Sequence, residues 1–183
     1  MSDNTGTMEQ VIIVDEQDNM LGVMDKMEAH ITGTLHRAVS VFIFNSAGDF
    51  LLQRRAVEKY HSGGQWSNTC CSHPRPDETA FAAAHRRLHE EMGMEADLTY
   101  AFNFVYRAEF SNELTEYEYD HVFFGVSDQV PVPNNDEVAE YRYMNIDVLI
   151  KDMQNYPNYY TEWFKLCLQH IKTEHISKML VAK

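Results

Sequence analysis

The chain has 183 residues, 44% of them hydrophobic and 12% aromatic, and its 15 Lys and Arg against 28 Asp and Glu give a formal charge of −13. That length and composition suit one domain with a real core and exclude general disorder. The acidic balance argues against partners that are nucleic acids or anionic membranes, but not against a small anionic substrate, which feels only the field of its own pocket.

No run approaches the roughly 20 apolar residues of a membrane-spanning helix. Residues 1–8 are polar, with neither a basic region nor an apolar stretch, and read as a frayed tail and not a secretory signal. Residues 9–183 then form a single domain. Apolar segments at 11–14 and 21–24 flank a polar turn and predict a hairpin. Segments 39–44 and 50–53, joined by Asn45-Ser46-Ala47-Gly48-Asp49, predict a second hairpin that is apolar on both faces, hence central and covered on both sides. Residues 54–77 read as a long functional loop with a short extended piece near 68–72.

Asp77 is placed to cap a helix over 78–92 that Gly93 stops. In it Phe81, Ala84, Leu88 and Met92 make one buried stripe. Segments 98–110 and 117–127 read as strands joined by Ser111-Asn112-Glu113, and 141–144 as a short strand. Helices follow at 146–153 and 158–175, the second with Trp163, Cys167 and Ile171 on one face.

Glu116 and Glu118 stand two apart on a strand, so both carboxylates face one side. That is a metal pair or an exposed acidic edge, and Asp120 shares the face. His30, His36 and His73 are the other candidate ligands, against a background that includes His61, His85, His89 and His170. In Cys71-Ser72-His73 an extended backbone turns the thiol and the imidazole to one side and Cys70 to the other. Three imidazoles with two carboxylates suit Mn²⁺, Zn²⁺ or Mg²⁺. The three cysteines, two of them adjacent, are not a disulfide framework and point to a reducing cytoplasm.

The strongest motif runs from Glu78 through Arg86, Leu88, Glu90 and Glu91 to Gly93 and Met94. It resembles the Nudix box, a loop-helix-loop that sets acidic groups beside a metal-bound diphosphate. Ser72 stands where the box has Gly and Arg87 where it has Glu. A carboxylate replaced by a cation favours holding a diphosphate over cleaving it.

Further segments sharpen the likeness. They are Ala29-His30, Leu35-His36, Leu52-Gln53-Arg54-Arg55-Ala56 with Lys59, Trp66-Ser67-Asn68-Thr69-Cys70-Cys71-Ser72-His73-Pro74, Tyr106-Arg107-Ala108, Glu116-Tyr117-Glu118, Glu140-Tyr141 and Trp163. From about residue 11 to about 171 the chain resembles the type I isopentenyl-diphosphate isomerases, a divergent Nudix-fold family.

The resemblance implies an α+β fold, a Nudix-type mixed sheet between helices with an N-terminal hairpin extension. It implies a divalent-metal site at His30, His36, His73, Glu116 and Glu118, and a catalytic pair at Cys71 and Glu118. Tyr106 falls beside the catalytic carboxylate and Trp163 as an aromatic wall over the hydrocarbon. Lys26, Arg55, Lys59 and Ser72 match diphosphate-binding positions, with Arg87 as helper, and Glu91 a ligand of a diphosphate-bound Mg²⁺. No flavin is implied.

The implied reaction interconverts isopentenyl and dimethylallyl diphosphate through a tertiary carbocation, which calls for two proton-transfer groups on opposite walls of a dry pocket. The small isoprenoid diphosphate is the only partner expected, with no nucleic acid and no membrane, and the chain acts as a monomer or, alternatively, a dimer. Competing readings are a Nudix hydrolase of a nucleoside diphosphate derivative and a noncatalytic module with a structural metal.

Overall fold

The computed structural model describes residues 9–59, 61–110 and 112–171. The chain opens with β1 (Gln10–Val14) and β2 (Met20–Asp25), paired antiparallel as the expected N-terminal hairpin. Then α1 (Lys26–Thr32) begins at Asp25, whose side chain accepts from Glu28 N, and ends at Gly33 with φ 62°. The sequence reading passed over this helix, because two turns that bury only Ala29 and His30 carry no apolar stripe.

Next come β3 (His36–Phe44) and β4 (Phe50–Arg55), with β5 (Trp66–Ser67) and β6 (Cys70–Ser72) inside the long loop. These are followed by α2 (Ala80–Met92), the long strands β7 (Leu98–Glu109) and β8 (Thr115–Val126), β9 (Val138–Met144), α3 (Ile146–Asn155), a 3-10 turn at Pro157–Tyr159, and α4 (Glu162–His170). Residues 1–8, Ser111 of the expected turn and the end of the expected last helix, 172–175, lie outside the described residues. Among those described, no helix is long and apolar enough to cross a membrane.

The nine strands form one mixed sheet. Alternation along β3 sends Val39, Val41 and Ile43 to the face that packs on Ala83, Ala84, Leu88 and Met92 of α2. It sends Phe42 and Phe44 to the face that packs on Leu149 of α3 and Trp163, Phe164 and Cys167 of α4. The α+β sheet between helices is therefore as expected.

The second hairpin is not. β3 and β4 pair only at Phe44↔Phe50, next to their turn. Beyond it they splay, β3 taking β6 and, in parallel, β8, while β4 takes β5 and β9. The reason is burial: both strands are apolar on two faces and each finds longer partners far along the chain.

Local details also shift. The cap of α2 is Thr79, whose hydroxyl accepts from Ala82 N, and not Asp77. Phe81 leaves the expected stripe and lies half-exposed, resting on His85 and Phe123. α4 starts at Glu162 because residues 157–159 wind as the 3-10 turn.

Gly93 does stop α2, with φ 61° and its N–H on His89 O. A Cβ there would lie 2.5 Å from Val132 O. Gly93→Ala is expected to cost roughly 1–3 kcal/mol through the left-handed backbone and this close approach, read as a lower urea midpoint with an unchanged slope.

Candidate metal centre and anion-lined cavity

Each imidazole of the expected metal set is aimed by the backbone next to it. The His30 Nδ1 sits 2.7 Å from Lys26 O and the His36 Nδ1 2.7 Å from Thr34 O. A carbonyl only accepts, so both rings carry their proton on Nδ1 and present the Nε2 lone pair inward. Register completes the arrangement. β3 pairs in parallel with β8 so that His36 stands beside Glu118.

Glu118 Oε1 lies 2.9 Å from His73 Nε2, 3.5 Å from His36 Nε2 and 4.0 Å from His30 Nε2. One donor atom from each of the four falls within 4.8 Å of the others. The His36 Nε2 is buried with no hydrogen-bond partner, as a ligand nitrogen awaiting an ion would be. Imidazole and carboxylate donors at this spacing fit a divalent metal.

Glu116, expected in the same set, is buried beside it but groups instead with His30 and His61. Burial, and then the charge of Glu118, pushes its carboxyl well above the usual range. Burial also pushes Glu118 up, but the facing imidazoles of His36 and His73 outweigh it and hold that carboxyl well below the usual range. The hydroxyl of Tyr106 donates to Glu118 Oε2 at 2.5 Å, with Glu116 Oε2 at 3.2 Å.

Cys71 reaches the same cavity from the other edge of β3, where β6 sets it opposite Ser40. It is half-buried, whereas Cys70 points into the core against α2, as the alternation required. Burial pushes the Cys71 thiol up to about 12, with Arg55, 4.0 Å away, pulling against it. Trp163 is pinned by its Nε1, which donates to Ser67 Oγ at 2.9 Å, and its ring faces the Arg55 guanidinium at 5.0 Å.

The cavity these groups enclose, of about 120 Å³, is also lined by Lys26, Arg55, Lys59, Ser72 and Arg87, so the five expected anion-binding residues converge. The cations come with carboxylates. Lys26 Nζ is 2.9 Å from Glu9, and Glu137 receives both Lys59 and, at 3.5 Å, Arg87. Glu91 is buried, with Oε1 on Arg87 and Oε2 on Gln53, both at 2.7 Å. In the motif helix Arg86 grips Glu78 through two bonds of 2.7 Å and reaches the His73 carbonyl, tying the helix to the metal set.

Glu9, Gln53, His61 and Glu137 are site residues that sequence reasoning missed as such. No spacing marks Glu9 or Glu137, and His61 was one histidine among nine.

The NUDIX domain family matches residues 34–164. The isopentenyl-diphosphate Delta-isomerase of Pectobacterium atrosepticum is 54% identical over 162 residues, covering 88% of this chain and 90% of that protein. The isopentenyl-diphosphate Delta-isomerase 2 of Aromatoleum aromaticum is 52% identical, covering 89% and 86%. The chain belongs to the isopentenyl-diphosphate Delta-isomerase family, within the Nudix superfamily.

Solved structures extend the fold likeness further than the sequence likeness. The DR0079 protein of Deinococcus radiodurans matches with a TM-score of 0.72 at 18% identity, covering 90% of this chain and all (100%) of that one. A MutT NUDIX hydrolase of Burkholderia pseudomallei matches with 0.61 at 17% identity, covering 76% and 99%. Arg87 bonds Glu90 at 2.8 Å and Glu91 at 2.7 Å, so a cation occupies the helix face where the Nudix box places a further carboxylate.

Proposed function

We infer that this chain interconverts isopentenyl diphosphate and dimethylallyl diphosphate by moving a proton onto the terminal alkene carbon and taking another from C2, in isoprenoid biosynthesis. The observation that carries this reading is the thiol of Cys71 and the carboxylate of Glu118 entering one cavity from strands on opposite edges of β3. Two proton-transfer groups so placed are what an allylic shift with opposite-face protonation and deprotonation needs.

Cys71, held as a neutral thiol, and Glu118, held as a carboxylate, make the acid-base pair. Tyr106 orients Glu118 through its 2.5 Å bond. Trp163 walls the hydrocarbon and faces developing positive charge with its ring, an interaction of order ~2 kcal/mol once desolvated. Lys26, Arg55, Lys59, Ser72 and Arg87 hold the diphosphate. They keep that leaving group in place while the carbocation lasts.

His30, His36, His73, Glu116 and Glu118 hold one divalent ion, Mn²⁺, Zn²⁺ or Mg²⁺, and Glu91 a Mg²⁺ on the diphosphate. Such ions supply positive charge that tunes the acidity of nearby groups and neutralises the diphosphate. The chain acts as a monomer or, alternatively, a dimer. Three free thiols, Cys70, Cys71 and Cys167, suit the reducing cytoplasm.

The test is proton and phosphorus NMR of the protein with isopentenyl diphosphate and Mg²⁺. The expected result is an intact diphosphate and alkene signals moved to the dimethylallyl pattern. Phosphate or monophosphate released at a comparable rate, or from nucleoside diphosphate derivatives, would support a hydrolase instead. Arg87→Glu rebuilds that part of the hydrolase box. It should raise KM by about tenfold or more, since repulsion replaces attraction beside the diphosphate, without producing appreciable hydrolysis, because water activation needs more than one restored carboxylate.

A further inference from the structure

His61 has no part in the roles set out above, yet its side chain is buried in the wall of the cavity. Its ring stacks on Phe110, with centroids 5.0 Å apart and planes at 22°, and meets Trp163 edge-on at 5.8 Å and 84°. These aromatic neighbours hold the ring, and its Nε2 lies 3.3 Å from Glu116 Oε1. The main-chain carbonyl of the same residue lies 3.5 Å from the donor Arg55 Nη2.

The neighbourhood of Glu116 makes this contact matter. A tyrosine hydroxyl has one hydrogen, and Tyr106 spends it on Glu118 at 2.5 Å, with Glu116 at the longer 3.2 Å. His30, His61 and Glu116 form one donor group; His30, His36, His73 and Glu118 form the other. A single His30 Nε2 cannot serve two ions at once, so the groups are not two filled sites. In the first, the His61 imidazole faces the Glu116 carboxylate at 3.3 Å.

We propose that His61 is a positioning residue of the metal centre: its Nε2 holds Glu116 Oε1 by a hydrogen bond, and so turns the other oxygen of that carboxylate toward the ion. The proposal rests on the divalent centre inferred above. Carboxylates that ligate metals are themselves hydrogen-bonded, and loss of such a partner costs about 10–100-fold in metal affinity. His61 also joins the two halves of the cavity, since its ring addresses a metal-side carboxylate while its carbonyl meets a cation of the diphosphate side.

The experiment measures Mn²⁺ affinity of the full chain, stripped with chelator, by paramagnetic resonance of unbound Mn²⁺. His61→Phe keeps a ring between Phe110 and Trp163 and removes the nitrogen. It is expected to weaken Mn²⁺ binding about 10–100-fold. His61→Gln restores a donor and should bind within about threefold of the wild type, a rescue that mere packing would not give.

In a Glu116→Gln background, His61→Phe should produce no further loss, because the partner it positions is already impaired. Wild-type affinity in His61→Phe, no recovery in His61→Gln, or a further tenfold loss in the Glu116→Gln background would each overturn the role of His61. Failure of the wild type itself to hold Mn²⁺ would overturn the divalent centre and this proposal with it, and is seen in a separate sample.

Discussion

Cys71→Ala is expected to lower kcat by about 10³–10⁴-fold, the upper range for losing a positioned acid-base group, while Mn²⁺ affinity and thermal midpoint stay near wild type. The thiol enters the cavity from β6, away from the cluster around Glu118, so its removal empties one wall and leaves the other intact. Burial pushes its pKa up to about 12, so it is held as a thiol and is a poor nucleophile at neutral pH. Cys70→Ala is the control. That side chain lies fully buried against Ala84 and Leu88, and its loss should cost about 1 kcal/mol of stability with turnover changed by only a few fold. Turnover assays, Mn²⁺ titration and melting of the two variants side by side make the check. Near-normal turnover in Cys71→Ala would remove the thiol from the mechanism.

Glu118→Gln is expected to abolish two properties together, lowering turnover by about 10³-fold or more and Mn²⁺ affinity by about 100-fold. One carboxylate carries both because its oxygens are divided. Oε1 faces the three imidazoles and Oε2 takes the Tyr106 hydroxyl. The amide keeps the shape and can still accept from Tyr106, so a folding defect is not the expected cause. Chelator competition for Mn²⁺, run beside a turnover assay, separates the outcomes. Full ion retention with lost turnover would leave Glu118 a proton carrier only, and loss of the ion with normal turnover would make the centre structural.

Much of this architecture was legible because it is written in local periods. Alternation gave the strands of β3, β7 and β8, and it set Glu116, Glu118 and Asp120 on one face and Cys70 and Cys71 on two. The i, i+4 spacing from Ala84 to Leu88 to Met92 gave α2, and Gly93 its end. What escaped is non-local. No pattern inside residues 39–53 says that β3 will leave β4 after one pair and take β8 instead, since that pairing depends on residues far along the chain.

The site shows the same division. Candidate residues tied to strand alternation or to the motif lie around one cavity, and the five residues expected to bind the anion line it. His61 and Glu137 were not found, because His61 meets Glu116 only once the loop after β4 folds back over the cavity, and Glu137 meets Lys59 and Arg87 across three separate segments. Phe81 failed for a different reason: a helical stripe reports which residues share a face, not where the sheet beneath it ends.

The parallel pairing of β3 with β8 bears on how the molecule comes into being. His36 and Glu118 meet only when strands far apart in the chain join side by side, a long-range closure of the slow, entropically costly kind. Before it, His30 and His36 sit on a local helix and strand without Glu118 between them, whereas the three-residue strand of Cys71 pairs with β3 across a much shorter stretch of chain. A chain emerging during synthesis thus offers an ion imidazoles without the Glu118 carboxylate until β8 has been made and docked. The donor group of His30, His36, His73 and Glu118 is therefore complete only after β8 has docked, and a partly folded chain lacks it.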